Sequence, residues 1–213
     1  MTFNPDVFAS IRDGSRRSAA IVVPEVQQTV QARSVVDIGG GEGWWAAEFA
    51  RLGARAVSID DGSATELADR VEHVRYDIGG GLPSNLGRFD LALCLEVAEH
   101  IGALAGDRLI AGLCEIAPSV LFSAAVPGQG GHGHLNEQWP AYWVERFERC
   151  GFSCSGALRW RFWENELVEY WYRQNLLFAT REPARFPTLF ETPLAEPWPI
   201  VHPDTLARTL ASR

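Results

Sequence analysis

Positive charge is scarce in this chain. Lys and Arg together number 19 against 27 Asp and Glu, for a formal net charge of -8 and a pI near 5.1. That balance argues against an electrostatic footprint for nucleic acid or an anionic membrane. Long hydrophobic runs are also lacking, and no apolar stretch reaches the length of a membrane span. Met1 to Asp6 is polar and has no signal-peptide core, so a cytoplasmic protein is expected. Cysteine is sparse. Cys94 lies in an apolar run and Cys114 on a helix stripe. Cys150 and Cys154 have the wrong spacing for a zinc ribbon, so reduced, mostly buried thiols are expected. No internal repeat is visible. A Gly-x-Gly-x-x-Gly dinucleotide fingerprint is absent as well.

What is present is organised around Val35-Val36-Asp37-Ile38-Gly39-Gly40-Gly41-Glu42-Gly43. A short β-branched run reads as a buried strand. It breaks into glycines and restarts with helical spacing at Trp45, Phe49 and Leu52. Strand, Gly loop and helix begin a βαβ unit, and α/β sheets bind ligands at the carboxyl ends of their strands. Asp37 leads the loop. Its charge suits a cationic ligand group better than a pyrophosphate. A second strand, Ala56 to Ile59, ends in Asp60 about 20 residues past the first glycines, where an acid meets ribose hydroxyls in nucleotide-binding sheets. Asp61 can share or replace that role.

The pattern Asp37-x-Gly39-x-Gly41-x-Gly43 resembles motif I of the class I S-adenosylmethionine-dependent methyltransferases. The resemblance extends over about residues 15 to 180. It implies an α/β, Rossmann-like, seven-stranded and mostly parallel sheet with the last strand reversed and helices on both faces. It also implies S-adenosylmethionine as cofactor, cradled by Asp37, Gly39, Gly40, Gly41 and Gly43. Asp60 and Asp61 would meet the ribose, and Asp77 and Ile78, after the strand at 73–78, the adenine. Leu95-Glu96-Val97-Ala98-Glu99-His100 is similar to the motif IV region of small-molecule and lipid-quinone methyltransferases. There Leu95 would lie along the methionine part, and Glu96 would face the cationic centre or the substrate. The helix expected over 14–31, kinked or split by Pro24, would cover the cofactor's amino-acid end. Ser15, Arg16 or Ser18 would then be within reach of its carboxylate.

The loop after the fifth expected strand (Val120 to Val126) is the most individual segment. From His132 to Glu137 it carries His132, His134, Asn136 and Glu137. Two histidines at i, i+2 suit a general base with a neighbour, or a pair of metal ligands. With Glu99 and His100, or with Glu96 or Glu137, they form the candidate ligand set, and Mg2+ the candidate ion. Oxygen acceptors need a base or a metal, so the expected reaction is O-methylation with His134 or His132 as base. Eight tryptophans fit an acceptor with a sugar or aromatic face, such as a saccharide or a natural-product scaffold. The loop and the Trp-rich end also loosely resemble actinobacterial sugar methyltransferases. The rivals are N-methylation of a small amine held by Glu96 or Glu99, and a non-catalytic cofactor-binding protein of the same fold.

Further on, a strand is expected from Leu158 and a seventh over 169–179, with Arg173, Gln174 and Asn175 as substrate-side polar groups. Six of the 12 prolines fall from Pro183 to Pro203. The expected division is therefore a methyltransferase domain at 1–181 and a Pro-rich tail at 182–213. The tail would dock through Phe186, Phe190 and Trp198, on its own domain or on a second subunit of a homodimer, or stay mobile.

Overall fold

The computed structural model describes residues 5–62, 64 and 67–211, with side chains from residue 12 on. In chain order its elements are α1 (Pro5–Val30), β1 (Ser34–Ile38), α2 (Trp44–Arg51), β2 (Arg55–Asp60), β3 (Glu72–Arg75), β4 (Leu91–Leu95), α3 (Ala103–Ile116), β5 (Ser119–Ser123), α4 (Pro140–Arg149), β6 (Ser153–Ser155), α5 (Ala157–Phe162), α6 (Tyr170–Asn175), β7 (Leu177–Thr180), α7 (Pro187–Phe190) and α8 (Pro203–Ala211).

The strands form one sheet in the order β3-β2-β1-β4-β5-β7-β6. β7 runs antiparallel to both β5 and β6, and the other pairings are parallel. Alternation along the central strands builds two apolar layers. Val35, Leu91, Leu93 and Leu95 face α1, α2 and α5. Val36, Ile38, Ala92 and Cys94 face α3 and α4. Because both faces are covered, β4 and β5 are buried at every position. All four cysteines are free thiols. Among the described residues no helix is long and apolar enough to cross a membrane.

Four expectations change. Residues 2–4 of the expected lead-in lie outside the described residues, and α1 starts at Pro5. The helix also runs unbroken through Pro24. The carbonyl that loses its partner belongs to Ala20, an exposed residue, and Val22, Val23 and Val26 are packed in the core. The strand expected from Leu158 is helix α5, and the sheet is completed earlier by three residues, Ser153–Ser155, which carry no β-branched signal. The strand expected over 169–179 is divided between α6 and β7. Arg173, Gln174 and Asn175 are buried. As ladder residues these polar side chains would lack partners, and the helical turn supplies them.

The Pro-rich segment packs on the domain. Phe186 and Leu189 are buried against Phe178, whereas Trp198 is exposed. The fully buried Arg159 donates to the Trp198 carbonyl at 2.8 Å and the Glu196 carbonyl at 3.3 Å. Arg173 donates to Asp204 at 2.7 Å.

Candidate active site

A cavity of about 340 Å³ opens at the carboxyl ends of β1, β2 and β4. Its first wall is the Gly loop. Gly39 (φ +72°), Gly41 (φ +56°) and Gly43 (φ +83°) adopt left-handed conformations that favour glycine. A Cβ on Gly40 would strike Ser58 Oγ and Asp37. Asp37 closes β1 and is buried, with Oδ2 lacking a protein partner. Burial, reinforced by the nearby Asp60 charge, pushes its carboxyl up to about 7. Asp60 accepts from the Gly41 N–H at 3.0 Å and the Gly62 N–H at 3.3 Å. It therefore pins the loop while lining the cavity. Asp77 accepts from the Gly79 N–H at 2.9 Å and caps the turn that carries Ile78.

The opposite wall comes from β4, the 127–138 loop and α6. Glu96 follows β4 with φ +55°, a left-handed conformation uncommon for a residue with a Cβ. Its N–H donates to the Ser123 carbonyl and hydroxyl. Its carboxylate accepts from Gln129 Nε2 at 3.0 Å and from Asn175 Nδ2 at 3.0 and 3.2 Å. Glu99 is fully buried, and neither carboxyl oxygen meets a protein donor in hydrogen-bond geometry. Burial, then the Glu96 charge, holds the Glu99 carboxyl far above the usual range. Burial raises Glu96 too, but its amide donors oppose the rise. The amide donors reach Glu96 and not Glu99, so negative charge is better supported at Glu96. The Glu99 carbonyl anchors the loop by accepting from the Leu135 and Asn136 N–H groups.

His134 Nδ1 lies 2.8 Å from Glu137 Oε1. Glu137 also accepts from the Gly128 and Gly130 N–H groups and so shapes the loop. His134 Nε2 lies against Gly131, where a Cβ would collide with the ring. His100 packs edge-on to His134 at 4.8 Å, and burial, then the His134 charge, lowers it to about 4. His132 also lines the cavity and is exposed.

Most expected site residues converge here. Asp37, Gly39, Gly40, Gly41, Asp60, Asp61, Asp77, Ile78 and Leu95 line one end, and Glu96, Glu99, His100, His132 and His134 the other. Two expected cofactor residues lie off the cavity. Ser18 is buried within α1, donating to the Gly14 carbonyl and accepting from the Glu169 N–H, so it is a packing tie. Gly43 starts α2 behind the loop, and a Cβ there would meet His73. Arg16 lies over the Trp44 ring at 4.9 Å and does not line the cavity. Ser15 does line it, pairing with Tyr172 at 3.3 Å and Trp45 at 3.2 Å.

Glu99, His100 and His134 each offer a ligand atom within 4.8 Å of the others. Two imidazoles and one carboxylate are a poor set for Mg2+, which prefers oxygen ligands. With Nε2 of His134 against Gly131, we assign no ion there.

Sequence reasoning missed Arg12, Glu42, Trp44, Gln129, Tyr170 and Trp171. Arg12 and the Trp44 indole both donate to Glu42, at 2.8 and 2.7 Å, and draw the start of α1 over the Gly loop. No local pattern announces a pairing 30 residues apart. Tyr170 and Trp171 were hidden by the strand reading of α6.

Known structures share the fold. A sugar N-methyltransferase from Streptoalloteichus sp ATCC 53650 superposes with a TM-score of 0.64 at 13% identity, over 85% of this chain and 94% of that one. Magnesium protoporphyrin IX methyltransferase from Synechocystis PCC 6803, with bound SAH, gives 0.59 at 19% identity over 81% and 86%. In sequence, an uncharacterized methyltransferase of Mycobacterium sp. (strain JLS) is 37% identical over 82 residues, 35% of this chain and 31% of that protein. The match thus spans about a third of the length of this curated relative. Residues 11–168, most of the chain, match the family model described as a methyltransferase domain. The chain belongs to that family of methyltransferase domains.

Proposed function

We propose that the protein is an S-adenosylmethionine-dependent methyltransferase that methylates a hydroxyl of a small molecule such as a saccharide or natural-product scaffold. One observation carries the reading. A single cavity joins a Gly loop with carboxylates at two strand ends to a cluster of buried Glu99 with half-buried Glu96, His100 and His134. The unpartnered oxygen of buried Asp37 and the Cβ-free approach at Gly40 fit the amino-acid end of the cofactor. Beyond the Gly41 and Gly62 N–H groups, the Asp60 carboxylate has lone pairs for two ribose hydroxyls. When bound, the cofactor would supply an electrophilic sulfonium methyl for the acceptor oxygen.

The chain's own tasks are to position the acceptor, exclude water and take its proton. The His134–Glu137 pair is the candidate base, since Glu137 orients the imidazole as carboxylates do in catalytic dyads. The His134 ring lines the cavity while packing against Gly131, where a side chain would displace it. His132, at the exposed rim, is the alternative base. A second reading, N-methylation of an amine, is favoured by the neighbouring carboxyls of half-buried Glu96 and buried Glu99, which would hold a cationic acceptor. We further propose a small-molecule partner and no nucleic-acid partner, on the acidic balance, and a cytoplasmic location.

The test is calorimetric titration with S-adenosylmethionine and S-adenosylhomocysteine, followed by turnover on a panel of hydroxylated and amine acceptors. Asp60→Ala is expected to weaken cofactor binding about a hundredfold, since two charge-assisted hydrogen bonds are lost. Binding without turnover on any acceptor would favour a non-catalytic cofactor-binding protein. A rate that falls with protonation of a group near pH 10 points to an amine acceptor, and one without that dependence to a hydroxyl acceptor. Unchanged kcat in a variant with both His132 and His134 replaced by Ala would remove the base assignment.

A further inference from the structure

A chain of hydrogen bonds runs from the C-terminal segment to Glu96, and all of its links point one way. It starts at a donor that cannot reverse, the backbone N–H of His202, 2.7 Å from Gln174 Oε1. Thr205 Oγ1 donates to the same oxygen at 2.8 Å. Side-chain amide orientations are ordinarily ambiguous, but here the His202 N–H assigns Gln174. Its Nε2 must then face Gln129 Oε1 and Asn175 Oδ1, both at 3.0 Å. Those two amides are oriented in turn. Asn175 Nδ2 reaches Gln129 Oε1 at 2.9 Å, and both amide nitrogens end on the Glu96 carboxylate. Reversing any link would set two acceptors face to face, the last beside a carboxylate.

Independent observations place the same segment on both acceptor-side walls. Thr209 donates to the Gly128 carbonyl at 3.3 Å, Arg208 lies over the Tyr170 ring at 4.9 Å, and Asp204 pairs with Arg173. Gln174 is fully buried, so its four partners are its whole polar environment. Glu96 has left-handed backbone geometry, a conformation that persists only where surrounding structure enforces it.

We propose that α8 and residue 202 support the acceptor site from behind: through Gln174, Gln129 and Asn175 they hold the Glu96 carboxylate as an oriented acceptor of a hydrogen bond from the O–H or N–H of the acceptor's reacting group. The inference rests on the methyltransferase reading of the cavity and deepens it. Gln174, Gln129 and Asn175 are positioning residues, and Thr205 is the outer anchor. The prolines up to Pro203 accordingly belong to a strap that carries the anchor to α6.

Thr205→Val removes the outer hydroxyl donor with little change of shape, Thr205→Ser keeps it, and Gln174→Glu reverses the relay by replacing its donor with an acceptor. The side-chain amide resonances of Gln129 and Asn175 read the relay directly and need no acceptor substrate. Both are expected to shift in Thr205→Val and more strongly in Gln174→Glu, and to stay at wild-type positions in Thr205→Ser. On a substrate found by the acceptor panel, kcat should fall about tenfold in Thr205→Val and about a hundredfold in Gln174→Glu, with S-adenosylmethionine affinity within about twofold of wild type. Thr205→Ser should restore kcat. Unmoved amide resonances, or a loss limited to melting temperature that Thr205→Ser does not rescue, would overturn the proposal. Shifted resonances in a protein that turns over no acceptor would defeat the methyl-transfer reading and the catalytic half of this proposal, leaving only the structural relay.

Discussion

Asp37 illustrates how a single residue at this site is held against its own preference. Its carboxyl is buried beside Asp60 and sits near pH 7 when folded, against 3.8 ordinarily. A group with a raised folded value costs nothing while protonated in both states. It destabilises progressively as pH rises from about 4 to about 7 and by a constant amount above that. The displacement corresponds to about 4 kcal/mol. Asp37→Asn should therefore melt at a higher temperature than wild type at pH 8 and about the same at pH 4, both without cofactor. The same variant should lose S-adenosylmethionine affinity, because an amide offers no charge to a cationic group. Thermal scans at the two pH values check the first expectation and calorimetry the second. A carboxylate kept at such cost, with one oxygen unpartnered, is what a site awaiting a cationic group requires.

At the scale of elements, the informative piece is the segment after β7. Its prolines exclude a regular sheet or a long helix, and this was readable directly. Its attachment was not. Arg159 looks like a surface residue of α5, yet it is fully buried and donates to two carbonyls nearly 40 residues away. Burial lowers its guanidinium to about 10. Arg159→Met should take one donor from each of the Glu196 and Trp198 carbonyls, which keep only the Trp198 and Ile200 N–H groups, and destabilise the protein by about 2 kcal/mol. Urea unfolding measures the loss, and limited proteolysis should cut the variant between residues 192 and 202 before the domain itself. α6 teaches a related lesson. Tyr170-Trp171-Tyr172 has the composition of a strand, but Arg173 finds its partners in the Trp163 carbonyl and Asp204, and Gln174 and Asn175 theirs in Gln129, Glu96 and His202, from a helical turn.

For the whole molecule, chemistry is concentrated at one end of one sheet. The strands from β1 to β4 deliver Asp37, Asp60, Asp77 and Glu96 to the same rim, because parallel strands end on the same side. This is why widely spaced acids could be assembled from sequence alone, and why the expected fold matches the observed sheet. The remaining wall is made by the 127–138 loop and α6, with the C-terminal segment bonded behind them. These have no shared period and meet only through side-chain hydrogen bonds.

The sequence by itself determined the parallel sheet, the Gly loop and the acids at the strand ends, because apolar alternation, glycine and strand polarity are local signals. Packing settled that Ser18 is a packing tie, that the His134 ring lies against Gly131, that amide donors reach Glu96 and not Glu99, and that the final helix holds Gln174. Those outcomes depend on which polar groups lose water together and which donors reach them. That is settled by packing between residues as far apart as Glu96 and Asn175, or Gln174 and Thr205.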